Sequence, residues 1–159
     1  MKKNSIFLLL LLLFSNHIFS QKNVIKSSSY KTNKSEKEWK KELNSMQCFI
    51  LRDGGTESPF SSPLNDNKEK GSYACAACKT VLYNSDNKYD SGSGWPSFDR
   101  EIKGTIEYKL ETDMGYKYYE IKCANCGGHL GHMFFDGPQD TTGKRHCVNG
   151  AALVFISDK

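Results

Sequence analysis

Two Cys-x-x-Cys pairs, Cys75-Ala76-Ala77-Cys78 and Cys123-Ala124-Asn125-Cys126, constrain the fold of this chain more than any other feature. They lie about 45 residues apart, and each sets two thiols on one tight turn. Four thiolates on two such knuckles suit tetrahedral zinc, and a centre filled by sulfur on every side has no open position for water or substrate. One structural Zn²⁺ is therefore expected at Cys75, Cys78, Cys123 and Cys126. The competing reading is redox disulfides of the thioredoxin kind, which want one pair at a helix start after a strand. Here both pairs sit among Gly, Tyr and Asn. A staple also fits the composition. At 159 residues and 38% hydrophobic, the chain has room for one domain with a modest core.

The front of the chain is different. Lys2 and Lys3 precede an apolar run from Ile6 to Phe14 and then a polar break, the anatomy of a secretory signal over residues 1–20. The run is short for a membrane span, which needs about 20 apolar residues. Cleavage is expected after Ser20, although Ile18 is bulkier than the small residue usual there; if the signal is retained, it is the chain's membrane contact. No cysteine follows closely enough for a lipid anchor. The domain is thus expected outside the cytoplasm, periplasmic or secreted. Residues 21–34 are rich in Lys, Ser and Asn without apolar periodicity and read as a flexible linker. The net charge of +4 is mild and much of the lysine lies in this leading part, which argues against a nucleic-acid groove.

From residue 35 to 159 the pattern predicts one β-rich domain. Ser35 with Glu38 caps a short helix through Trp39–Leu43. Met46 to Leu51 is a short apolar run read as a strand. Gly104–Leu110 and Tyr116–Lys122 alternate apolar and polar residues around Asp113-Met114-Gly115, the mark of an antiparallel pair. Ala151–Ile156 reads as a buried final strand. Asp90 to Phe98, broken by glycines and a proline, is a loop holding Trp95 as either a packing plug or a binding surface.

The sixth-position cysteine, Cys147, has no knuckle partner. A free cysteine is commonly an inert core residue. Its neighbours Arg145, His146 and Asn149 speak for the other possibility, because positive and hydrogen-bonding groups favour thiolate over thiol and make the sulfur nucleophilic. His129 and His132 are candidates for proton donors to a polar substrate atom. Zinc ligation and plain structural roles are the alternatives for both.

Together, Gly94-Trp95-Pro96-Ser97-Phe98, the two knuckles, Gly128-His129-Leu130-Gly131-His132-Met133-Phe134, Gly137-Pro138 and Arg145-His146-Cys147-Val148-Asn149-Gly150 resemble methionine sulfoxide reductase B. Gly55-Thr56-Glu57 and Tyr89-Asp90-Ser91-Gly92 extend the match, which runs from about Glu38 to Ile156. The resemblance implies two antiparallel sheets stapled by zinc, and reduction of the R epimer of methionine sulfoxide in oxidised proteins or peptides. It implies Cys147 as nucleophile, passing through a sulfenic acid, with His129 or His132 as the acid. Arg145 and Asn149 would orient water and the sulfoxide oxygen. Trp95, His146 and Phe134 would contact the substrate, Trp95 taking its methyl group. A thioredoxin-like protein would restore the thiol. Two departures stand out. Many relatives carry a resolving cysteine where this chain has Ser93, so either an external thiol attacks the sulfenic acid or Cys48 resolves it. Gly150 stands where many relatives have Ser. The rival readings are a zinc-ribbon-like binding module, which has no need of Cys147, and a redox sensor built on Cys48 and Cys147, which would not turn over sulfoxide.

Overall fold

The computed structural model describes residues 30–159. The secretory-signal segment and the first part of the expected linker lie outside them. Residues 30–34, read as linker, are docked on the domain instead. The Tyr30 hydroxyl donates to Glu107 at 3.0 Å, and the Thr32 amide donates to the Asn125 carbonyl at 2.9 Å, on the second knuckle.

Residues 30–159 form two short α-helices and nine strands. Helix α1, Glu36–Glu42, begins at the predicted cap: the Ser35 hydroxyl and the Glu38 carboxylate each satisfy the other's backbone N–H. Trp39 is buried under the Lys34 ammonium and the Arg52 guanidinium. Helix α2, Ser45–Leu51, replaces the strand expected at Met46–Leu51. Asn44 and Gln47 make a second capping box, so the local signal for a helix start outweighs the β-propensity of a short apolar run. Ile50 and Leu51 bury the inner face of α2 against the core.

Strands β1 (Gly71–Cys75), β2 (Val81–Asn84) and β9 (Leu153–Ser157) form one antiparallel sheet, in the order β2-β1-β9. The expected final strand starts two residues late because Gly150–Ala152 closes a 3₁₀ turn first. The second sheet holds β3 (Lys88–Tyr89), β4 (Ser97–Phe98), β5 (Ile106–Asp113), β6 (Tyr116–Cys123), β7 (His129–Phe134) and β8 (Arg145–Val148), in the order β3-β4-β8-β7-β6-β5. Tyr73, Tyr83 and Phe98 fill the centre of the core, with Tyr83 and Phe98 stacked at 4.2 Å. The mainly β fold with two antiparallel sheets and a short N-terminal helix is as expected, with one further helix.

Candidate active site

The knuckles come first, because they set the ends of the strands that carry the rest. Cys75 ends β1 in one sheet and Cys123 ends β6 in the other, so the centre ties the two sheets together. All four Sγ atoms lie within 4.8 Å of one another, with Cys75–Cys126 at 3.8 Å and Cys78–Cys123 at 3.5 Å. Sulfurs about 2.3 Å from one tetrahedral ion would stand about 3.8 Å apart, so the set is the right size for a single metal. The protons are shared unevenly. Contact with Cys123 pushes Cys75 and Cys126 up and Cys78 down, and contact with Cys126 pushes Cys123 down. A cation at the centre would stabilise all four as thiolates.

Cys147 lies on the middle of β8, flanked by His132 of β7 on one side and Ser97 of β4 on the other. Gly131 makes this approach possible. Its backbone has φ +150°, and a Cβ there would stand 2.1 Å from the Cys147 carbonyl oxygen. Any side chain at 131 would push β7 off β8. On the same face, Phe134 pairs with Arg145 and Glu120 of β6 pairs with His132. Thr56, Trp95, Gly131, His132, Phe134 and Asn149 enclose a cavity of about 150 Å³ with Cys147 on its wall.

Trp95 is on the cavity wall, its indole N–H donating to the Glu57 carbonyl at 3.2 Å. Asn149 is buried, accepting from the Glu57 amide at 2.9 Å and donating to the Leu130 carbonyl at 3.0 Å. One amide hydrogen of its two remains for the cavity. Arg145 makes a two-pronged ion pair with Asp136, at 2.9 and 2.7 Å, over the Phe134 ring. His129 is buried behind His132, with ring centroids 5.4 Å apart, and its Nδ1 meets Glu120 at 2.9 Å. Against the cost of burial, hydrogen bonds from His129 and Lys122 hold the Glu120 carboxyl below its usual range. Burial, reinforced by nearby His129, lowers His132, so its imidazole is neutral near pH 7.

Three expectations change. His146 is not at the cavity. Strand alternation turns it to the opposite face of β8, where it is fully buried between the Tyr83 and Tyr108 hydroxyls at 3.2 and 3.3 Å. Burial pushes it down to about 4. Cys48 is not brought to Cys147. It lies on α2, half-buried, with its thiol on the Leu43 carbonyl at 3.8 Å. The Cys147 thiol itself is raised by burial, and the Ser93 hydroxyl at 3.9 Å and Arg145 only partly oppose this. Neighbouring positive charge was expected to dominate; desolvation wins.

Sequence reasoning gave no role to Glu57. Its buried carboxylate accepts from the Gly150 and Ala151 amides at 2.5 and 3.0 Å, while its main chain holds Asn149 and Trp95. One residue thus fixes both the turn after the nucleophile and the indole. Asp136 and Glu120 were missed as well. Each finds its partner nine residues away, across a hairpin rather than within a motif.

The Gly150 departure has a packing reason. A Cβ at 150 would stand 2.0 Å from the Ser62 hydroxyl oxygen, so Ser62 already occupies that space. Gly150→Ser alone is expected to cost about 1–3 kcal/mol through overpacking. In a denaturant double-mutant cycle, Ser62→Gly should recover most of that loss. Equal losses with and without Ser62→Gly would show that the two positions do not share the space.

A buried four-cysteine set of the right size for a metal joins two antiparallel sheets, and a lone thiol sits in an aromatic-walled cavity beside histidine, an arrangement suited to a thiol-dependent oxidoreductase. The SelR domain model matches residues 43–157. A Leptospira interrogans protein named peptide methionine sulfoxide reductase MsrB is 51% identical over 128 residues, 80% of this chain and 97% of its own length. Relatives of the same name from Agrobacterium fabrum and Methanosarcina barkeri are each 48% identical, covering 80% and 79% of this chain and 95% and 89% of theirs. The chain belongs to the methionine sulfoxide reductase B family.

Proposed function

We propose that this chain reduces the R epimer of methionine sulfoxide, in oxidised proteins and peptides, to methionine. The observation that carries this reading is the shared cavity of Cys147, Trp95, Phe134, His132 and Asn149. The substrate side chain has an apolar methyl next to a polar S=O bond. Indole and phenyl surfaces suit the methyl, while imidazole and amide suit the oxygen.

The raised Cys147 thiol brings its own proton to the reaction. Neutral His132, directly across the strand pair, takes that proton as the sulfur attacks the sulfoxide sulfur, then delivers it to the sulfoxide oxygen. Glu120, paired with His132 across β6 and β7, stabilises the transient imidazolium. The protonated oxygen then passes from the methionine sulfur to the Cys147 sulfur as the new bond between the two sulfurs breaks, and methionine leaves. The oxygen stays on Cys147 as a sulfenic acid, so one sulfur is reduced by two electrons and the other oxidised by two. Arg145, held by Asp136, favours the attacking sulfur's negative charge. The four-cysteine centre takes no part in this chemistry; we assign it Zn²⁺, which prefers four sulfurs in this geometry.

A thioredoxin-like dithiol regenerates Cys147, because Ser93 cannot resolve the sulfenic acid. The signal pattern at residues 1–20 supports an exported enzyme that repairs oxidised proteins in the periplasm or beyond, supplied there with dithiol. The test is turnover of separated R and S epimers of a peptide methionine sulfoxide with dithiothreitol. Reduction of R alone is expected. Turnover of neither epimer by folded protein would remove the reading and favour a binding module or a sensor.

A further inference from the structure

We propose that the groove beside Ser93 is the route by which a thiol reductant reaches oxidised Cys147, on the flank of the sulfur away from the substrate cavity. The inference rests on the reductase reading above.

This groove is a second cavity of about 470 Å³, lined by Tyr89, Ser91, Ser93, Asp136, Pro138 and Arg145 among others. None of its lining residues also lines the substrate cavity. The sheet sets them on two flanks of Cys147: His132 of β7 faces it from the substrate cavity, and Ser97 of β4 borders it on the groove side. Ser91 bridges Ser97, the β4 partner of Cys147, and Ser93, at 2.7 and 2.8 Å. The Ser93 hydroxyl then reaches the Cys147 Sγ at 3.9 Å. Ser93 therefore lines the groove and also touches the reactive sulfur. The Tyr89 hydroxyl in the groove wall is buried with no hydrogen-bond partner among the described residues.

The chemistry needs two sides. Displacement at a sulfenic sulfur proceeds with the incoming lone pair opposite the departing oxygen, because it enters the S–O antibonding orbital. Methionine sulfoxide deposits its oxygen from the substrate cavity, so that oxygen faces His132, which can protonate it. The opposite approach runs through the Ser93 groove. There the thiol sulfur bonds to Cys147, the S–O bond breaks, and oxygen leaves as water with the sulfenic proton and the thiol proton. A second thiol of the same dithiol then attacks the mixed disulfide, releasing the Cys147 thiol and an oxidised dithiol. Arg145, on the groove wall, draws the incoming thiolate inward.

Two measurements on the full chain test this. Pro138→Trp narrows the groove without touching the substrate cavity. It should leave the thiol-free burst of one methionine per chain unchanged, and slow consumption of the sulfenic acid by dithiothreitol by about tenfold or more, a rise of about 1.4 kcal/mol or more in the barrier. In the unsubstituted protein, a peptide methionine sulfone at a concentration that blocks the burst should leave thiol reduction of peroxide-generated sulfenic acid unslowed. Sulfone protection of the sulfenic acid would overturn the proposal, as would unchanged recycling in Pro138→Trp. Absence of any burst in the unsubstituted protein would instead remove the reductase reading beneath it.

Discussion

Stripping the four-cysteine centre of its metal is expected to unfold the domain. The centre joins the end of β1 to the end of β6, and these strands belong to different sheets. Three of its cysteines are buried in the core and the fourth is half-buried against it. Without a cation, four packed sulfurs can be accommodated only by keeping protons on some of them. Structural zinc typically contributes about 10–16 kcal/mol of apparent binding free energy, comparable with the whole stability of a domain, about 5–15 kcal/mol. Thermal melting by circular dichroism with and without a strong chelator measures the effect. Cys123→Ser should reproduce it. A melting temperature indifferent to both would show that the core alone holds the sheets together.

Cys147→Ser is expected to lower methionine sulfoxide turnover by on the order of 10⁴-fold or more, with melting little changed. Serine is close in size, and the site is half-buried, so the cavity walls should stand. What is lost is the chemistry. A hydroxyl neither attacks a sulfoxide sulfur readily nor accepts its oxygen as a sulfenic acid does. His132, Asn149 and Trp95 remain to bind substrate, so the apparent affinity for a sulfoxide peptide should persist while kcat collapses. Steady-state kinetics and a binding titration read the two separately. Substantial residual turnover would mean that another group performs the reaction.

Much of this was legible in the sequence because the informative features are local. Two knuckles reveal from spacing alone a four-thiol set fit for a metal, and Ser35 with Glu38 reveals a helix start. The alternation in β5 and β6 exposes a hairpin, placed within a few residues. What was hidden depends on tertiary neighbours. Met46–Leu51 has the composition of a strand, and its helical state follows from the capping pair just before it and the core behind it. His146 sits next to Cys147 in the chain yet on the other face of β8; only an assignment of residues 145–148 as strand, rather than loop, would have turned it away. The balance at Cys147 was misjudged for a related reason, since charge neighbours can be read from the chain but burial cannot. Glu57 was visible as a matched block without a role, because the partners Asn149 and Gly150 lie more than 90 positions away.

The most direct test of the central claim is mass spectrometry after a single turnover with excess methionine sulfoxide peptide and no thiol. One methionine formed per chain is expected, with one oxygen added at Cys147, trapped as a sulfenic acid, and Cys48 still a free thiol. Methionine formation with Cys147 unmodified would rule out Cys147 as the oxygen acceptor. A Cys48–Cys147 disulfide in place of the sulfenic acid would keep the nucleophile and overturn direct reduction by an external thiol.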